Sequence, residues 1–271
     1  LLFLVATVTP FDARGRVDIG RLRAHVLWLA AQGVDGFVPT GTTGEFLYLT
    51  DRERGAVHRT VLDAAGVKPV YPCTWDPSPG TTAYLTDQAR EMGASGVLMP
   101  PPLYYKLDDD AVVRWFAHVA QTAQLPVLAY HNPAHLPSGI SPQLYARLRA
   151  EELIVGMKDS SRDVHRLRRL VVSDPGGIWA GGDAMLGQIR AAGPIAGFIS
   201  GAGNVWPRFL QRLFRDRDPA LEQALVDRTN RLRRAGGIRA MKGLLGMGCR
   251  MPLPEVPIDA LTDLPPSEFS A

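Results

Sequence analysis

The stretch "LIVGMKDSS", Leu153–Ser161, reads as a buried strand that ends on a lysine. Leu, Ile, Val and Met without polar alternation are what a strand covered on both faces requires, and such strands build parallel sheets. The lysine breaks the pattern. Of the 30 Lys and Arg residues only four are lysine: Lys68, Lys106, Lys158 and Lys242. Arginine stays charged in proteins, whereas a buried lysine can give up its proton. A strand-end lysine in an arginine-rich chain is therefore a candidate for amine chemistry. The plainer role is a salt bridge, with Asp159 adjacent.

Outward from that stretch the same unit repeats. Short apolar runs lie at Phe3–Val8, Gly36–Pro39, Pro69–Cys73, Gly96–Met99, Val127–Tyr130, Ile154–Met157, Ile178–Ala180 and Ile195–Ile199. Segments with helical spacing separate them. In Arg21–Ala31, Leu22, Val26, Leu29 and Ala30 fall on about one face. Thr50 followed by Glu53 has the form of a capping box and predicts a helix over Asp51–Ala65. Asp109–Ala123 and Pro142–Arg149 repeat the theme. Eight strand–helix units predict an α/β fold, a (β/α)8 TIM barrel over residues 1–203. Residues 204–271 read as a C-terminal helical region, ending in a proline-rich tail with one short helix.

The bulk numbers agree with one such unit. The chain has 271 residues, 46% hydrophobic and 21% charged, with net charge +3. Basic residues are scattered, and the two "RLRR" clusters at 166–169 and 231–234 read as exposed helix faces, so no nucleic-acid partner is expected. Two distant cysteines, Cys73 and Cys249, give no disulfide framework and no zinc spacing. The longest apolar run, "LLFLVATV", is too short to span a bilayer and lacks the features of a signal peptide. No membrane partner is expected, and the expected location is the cytoplasm.

In a barrel of this type the chemistry sits at the C-terminal strand ends. That rule selects "PTGTTGEF" (Thr40, Thr42, Thr43, Glu45), "PPPLYYK" (Tyr104, Tyr105), "AYHNP" (Tyr130, His131, Asn132), Lys158, "AGGDA" and "FISGAGN". A neutral amine attacks a ketone and gives an iminium ion, an electron sink beside a carbon acid. Such chemistry needs a proton carrier, and Tyr130 on the fifth predicted strand adjoins Lys158 on the sixth. "GTTGE" offers two hydroxyls and free backbone N–H groups, a cradle for a small carboxylate. Each part also has an ordinary use: a helix-capping turn for "GTTGE", packing for the tyrosines, a cap for Asp183. His131 has no accompanying cluster of metal ligands, so no metal is expected.

"GTTGE", the "Y-x-N-P" pattern at Tyr130 and "GMKDSS" together resemble the dihydrodipicolinate synthase and N-acetylneuraminate lyase family of Schiff-base pyruvate aldolases. The resemblance runs from Thr7–Asp18 to Arg250–Pro254. It implies a (β/α)8 barrel with C-terminal helices, a homotetramer or homodimer, and no metal or organic cofactor. It also implies roles. Lys158 forms the imine with pyruvate, and Tyr130 shuttles protons. Thr42 links Tyr130 to Tyr105, the latter from a neighbouring subunit. Thr43 holds the pyruvate carboxylate, and Gly182 and Ile199 line its pocket.

The chain also departs from that family. It reads "YHNP" where the family has Tyr-Asn-x-Pro, so His131 replaces an asparagine. The loop "AHLPSG", Ala134–Gly139, lacks the arginine that dihydrodipicolinate synthases use on the acceptor carboxylate, and His135 is the nearest candidate. The segment "CTWDPSPG" lacks the Asn and Glu linked to lysine feedback. The small-molecule partners implied are pyruvate and an aldehyde, or the 2-keto acid they form. The expectation is a lyase on a 2-keto-3-deoxy sugar acid with an uncharged hydroxyaldehyde. The alternatives are 4-hydroxy-tetrahydrodipicolinate synthase, which joins pyruvate to aspartate semialdehyde, and a 2-keto acid dehydratase or hydratase. Outside enzymes, a keto-acid-binding barrel remains.

Overall fold

Strands that are apolar on both faces need a cover on each, and the chain supplies it by following each with a helix. The computed structural model describes residues 1–190, 193–216, 218–252 and 266–269. The sheet strands are β1 (Leu2–Val5), β2 (Gly36–Phe37), β3 (Val97–Met99), β4 (Val127–His131), β5 (Gly156–Asp159), β6 (Ile178–Ala180) and β7 (Gly197–Ser200). Among the described residues they form one parallel seven-stranded sheet, in the order β2-β1-β7-β6-β5-β4-β3, which curls so that β1 and β7, the first and last strands along the chain, are paired.

One predicted strand is not a strand. Residues 69–73 make only isolated parallel bridges, Val70 to Phe37 on one side and Cys73 to Leu98 on the other. The cause is in the sequence: Pro69 and Pro72 have no N–H to give to a ladder. Their carbonyls still accept, from Phe37 N at 2.9 Å and from Leu98 N at 2.9 Å. The eight-strand expectation is thus corrected to seven strands and one bridged segment.

The helices follow their local signals. Helix α1 (Ile19–Ala31) buries Leu22, Val26 and Leu29, and Asp18 caps it. Helix α2 (Asp51–Ala65) begins with the expected capping box of Thr50 and Glu53. Then come α3 (Pro79–Glu91), α4 (Asp109–Ala123), α5 (Pro142–Ala150), α6 (Val164–Ser173), α7 (Leu186–Arg190), α8 (Pro207–Asp216), α9 (Pro219–Arg234) and α10 (Ile238–Leu244). The "RLRR" cluster at 166–169 is not a uniformly exposed face. Arg166 is buried and pairs with Asp159 at 2.7 Å. The short helix expected in the tail falls on residues 253–265, outside the described residues. No helix among the described residues is long and apolar enough to cross a membrane.

Helix α10 fastens the C-terminal helices to the sheet's upper rim. Its Lys242 is fully buried and donates to Thr9 O at 2.6 Å and to Glu45 Oε1. The same Glu45 carboxylate accepts from Arg250 N at 2.9 Å and Met251 N at 2.7 Å. Glu45 belongs to "GTTGE" and sits at φ +57°, an uncommon conformation for a residue with a side chain. The C-terminal region therefore fixes the shape of the loop that carries Thr42 and Thr43.

Candidate active site

Parallel strands end on one rim, and that rim gathers the site. The β4–β5 register pairs Tyr130 with Lys158 and His131 with Asp159. Alternation then turns Tyr130 and Lys158 to one side and His131 and Asp159 to the other. Lys158 Nζ lies 4.6 Å from the centre of the Tyr130 ring. Both side chains are buried, with 8% and 7% of their surface exposed.

The neighbouring Asp159 does not answer Lys158. Its Oδ2 takes Arg166 Nε at 2.7 Å and its Oδ1 takes Ser161 N at 2.9 Å. Arg166 also donates to Ile140 O, and Ile140 N donates to His131 Nδ1 at 3.0 Å. Burial, with the Arg166 charge nearby, pushes the His131 imidazole down to about 4. This network behind the rim holds the turn after β4 against the turn after β5. Asp183, the other carboxylate near Lys158, is engaged too. It accepts from Ser200 Oγ and from Ala202 N at 3.0 Å, and burial pushes its carboxyl up. Asp183 thus bonds across to the β7 turn, whereas the helical turn it opens takes Gly182 as its cap. Among the described residues Lys158 forms no salt bridge.

A cavity of about 570 Å³ opens over the rim. Thr42, Thr43, Tyr130, His135, Lys158, Gly182 and Ile199 all line it. The glycines after β6 make room for them. A Cβ on Gly181 would lie 2.2 Å from Ser160 Oγ and 3.2 Å from Lys158 Cε, and Gly182 stands at φ +101°. Tyr105 is the exception among the expected residues. It is 70% exposed and stacks edge-on with Tyr104, and within this chain it does not meet Thr42 or Tyr130.

The Tyr130 hydroxyl has a partner, Asn132, to which the sequence assigns no role. Asn132 Nδ2 donates to it at 2.8 Å, whereas Thr42 Oγ1 stands at 3.4 Å, long for a bond between hydroxyls. With a lone pair held by Asn132, the phenol's own proton is free to point towards Thr42 or into the cavity. The signal for Asn132 was present in "YHNP", two residues along the chain and so on the same side as Tyr130. On the other side of Tyr130 lies a smaller cavity of about 250 Å³, bounded by Phe46, Leu47, Cys73, Leu103 and Leu136.

Further residues of the large cavity come from turns and from the C-terminal helices. Arg162 follows β5 at φ +60°, and Arg233 and Asn230 come from α9. The absence of arginine from Ala134–Gly139 holds, yet arginine reaches the cavity by two other routes.

Comparison with known proteins bears on what this arrangement does. Residues 2–234 match the model of the dihydrodipicolinate synthetase family. A 4-hydroxy-tetrahydrodipicolinate synthase from Thermomicrobium roseum is 36% identical over 206 residues, covering 75% of this chain and 68% of that one. The crystal structure of a dihydrodipicolinate synthase from Bacillus anthracis superposes with a TM-score of 0.89, at 27% identity, over 97% of this chain and 98% of the other. A prophage protein of the dihydrodipicolinic acid synthase family from E. coli K12, solved in complex with pyruvate, gives a TM-score of 0.86 at 26% identity, over 97% and 95% of the two chains.

Proposed function

The chain belongs to the dihydrodipicolinate synthetase family, whose members are pyruvate-dependent Schiff-base lyases, and on that premise we propose that Lys158 is the amine that captures pyruvate. The observation that carries this reading is a buried lysine with no salt-bridge partner among the described residues. Asp159 is spent on Arg166 and Asp183 on Ser200, so neither carboxylate forms a salt bridge with Lys158. A structural lysine at this depth would be paired.

The chemistry follows from the placement. Neutral Nζ attacks C2 of pyruvate, and loss of water leaves an iminium. The iminium draws the electron pair of a C3–H bond, the proton departs, and an enamine forms. Its C3 attacks the aldehyde carbon, and the aldehyde oxygen takes a proton. Water then hydrolyses the new iminium and frees Lys158. Cleavage runs these steps in reverse. Tyr130 moves the protons, because its hydroxyl faces the same cavity and is oriented by Asn132. Thr43 holds the pyruvate carboxylate beside Gly182 and Ile199, and His135 faces the aldehyde end. Thr42 relays between Tyr130 and Tyr105 of a neighbouring subunit in a homotetramer or homodimer, a reading supported by the exposure of Tyr104 and Tyr105. The bridged segment 69–73 serves as the remaining stave of an eight-unit barrel, with the catalytic unit at 1–203 and the helical region at 204–271.

The substrate class that fits is a 2-keto-3-deoxy sugar acid, cleaved to pyruvate and an aldehyde. Incubation with 2-keto-3-deoxygluconate should release pyruvate. No pyruvate from any 2-keto-3-deoxy acid, together with no carbon–carbon product from pyruvate and a panel of aldehydes, would refute the reading. The relatives' names favour a second one, condensation of pyruvate with aspartate semialdehyde to 4-hydroxy-tetrahydrodipicolinate. Product analysis with that aldehyde separates the two.

A further inference from the structure

The outer half of the large cavity differs from its floor. The floor is the Lys158, Tyr130 and Thr43 cluster. The mouth carries Arg162, from the turn between β5 and α6, and Arg233, from the last turn of α9. These two elements are far apart in sequence, and both line this cavity.

Three observations make Arg162 more than a surface charge. Its backbone is held at φ +60°, which costs a non-glycine residue conformational energy. The turn around it is pinned on both sides. Ser160 N donates to His131 O at 2.8 Å, Ser161 N to Asp159 Oδ1 at 2.9 Å, and Asp163 N to Ser161 Oγ at 3.2 Å. Yet among the described residues the guanidinium has no hydrogen bond and no salt bridge, in a protein whose other guanidinium groups are often paired. Arg233 is nearly as free, with one bond to Asn230 Oδ1 at 3.3 Å. The opposing charge in the cavity is Asp183, but it is turned to Ser200 and Ala202 on the floor.

The distance from the floor is bounded by the two glycines after β6. Lys158 Cε lies 3.2 Å from the Cβ position of Gly181, and Arg162 Cγ lies 3.5 Å from that of Gly182. Adjacent Cα atoms are about 3.8 Å apart and each Cβ stands about 1.5 Å from its Cα, so the Arg162 stem stands at most about 15 Å from the amine. A short carbon chain attached to the imine and the guanidinium's own extension beyond that stem together span this range.

Resting on the Schiff-base reading of Lys158, we propose that Arg162 and Arg233 select 2-keto acids that carry a second oxyanion, a carboxylate or a phosphate, at the end away from the keto group. Guanidinium groups present paired donors that match such oxyanions. The aldehyde partner is then an acidic one, in place of the uncharged hydroxyaldehyde that the arginine-free loop Ala134–Gly139 suggests.

Calorimetric titration tests this with pairs that differ only at that end. One pair is 2-oxoadipate and 2-oxohexanoate. The other is 2-keto-3-deoxygluconate with and without a 6-phosphate. The anionic member of at least one pair should bind about tenfold tighter or more, a ratio set by charge-assisted hydrogen bonds. The pair that responds identifies the oxyanion. The ratio should fall below about twofold in Arg162→Gln and Arg233→Gln combined. It should also shrink in the unaltered protein as salt rises from about 0.05 M to about 0.5 M, which needs no variant to fold. Equal affinities within both pairs, or a ratio indifferent to the variants and to salt, overturn the proposal. Borohydride trapping of pyruvate by the unaltered protein keeps the two readings apart. Trapping on Lys158 with equal affinities sinks only the anion site, whereas a salt-sensitive preference without trapping sinks only the imine.

Discussion

Lys158 and Lys242 are both buried lysines on the same rim, and they differ in company. Lys242 is enclosed by Glu45, Thr9 O and the face of Phe11, whose centre lies 4.3 Å away. Burial pushes its ammonium down, and the Glu45 carboxylate opposes that. Lys158 has the face of Tyr130 and a cavity, with both nearby carboxylates engaged elsewhere. The same side chain is a tie in one place and, as we propose, a reagent in the other. Burial alone does not distinguish them; the partner does. A paired buried charge holds structure, and removing its partner is expensive. An unpaired one holds no such tie and is open to the amine chemistry proposed for Lys158.

The sharpest way to break this contrast is to exchange charge for charge. Lys158→Arg should abolish turnover while the protein stays folded, because arginine does not become a neutral nucleophile. Measurable steady-state turnover in that variant would make Lys158 a binding cation. Next comes Tyr130→Phe, which keeps the ring over Lys158 and removes the hydroxyl that Asn132 orients. Turnover should drop by about 10²–10⁴ while pyruvate binding persists. Near-normal rates would reduce Tyr130 to packing.

On the other side of the comparison, Lys242→Met should leave Glu45 buried without its cation and cost roughly 3–5 kcal/mol of stability in denaturant unfolding. A change below about 1 kcal/mol would mean that the backbone amides of Arg250 and Met251 suffice. The smallest effect is the share of one histidine, His131, in the pH dependence. Burial holds His25 down to about 4, His58 to about 3 and His131 to about 4. Unfolded, each takes up a proton near 6.5, so between about 6.5 and 4 the unfolded chain binds more protons. Their neutral burial is therefore without cost above about pH 6.5 and becomes destabilising as pH falls, by up to about 1.4 kcal/mol per unit and group. The melting temperature should decline from pH 7 to 5, and less steeply in His131→Asn. Parallel declines would show that His131 titrates normally.

Much of this was legible in the sequence because it is local or periodic. The capping box at Thr50 and Glu53, the apolar face of α1 and the strand that carries Lys158 each declare themselves within a few residues. The third predicted strand fails because apolarity takes no account of donors, and Pro69 and Pro72 leave the ladder incomplete. The rest is long-range. Nothing near Lys158 in the chain says that Asp159 will be claimed by Arg166, or that Asp183 will reach Ser200. Arg233 enters the cavity from a helix that begins 61 residues beyond Lys158, at Pro219, and no spacing rule connects them. Glu45 looked like part of an anion cradle, and only the fold reveals that its carboxylate is the anchor for Lys242 and the backbone of Arg250 and Met251.

The central claim is that the unpaired lysine, and not the paired one, is the nucleophile. Pyruvate and borohydride added together, followed by proteolysis and mass spectrometry of the peptides, test it directly. The account predicts a single reduced adduct, carried by the peptide that contains Lys158. An adduct on Lys242, Lys106 or Lys68 instead, or no adduct at saturating pyruvate, would contradict it.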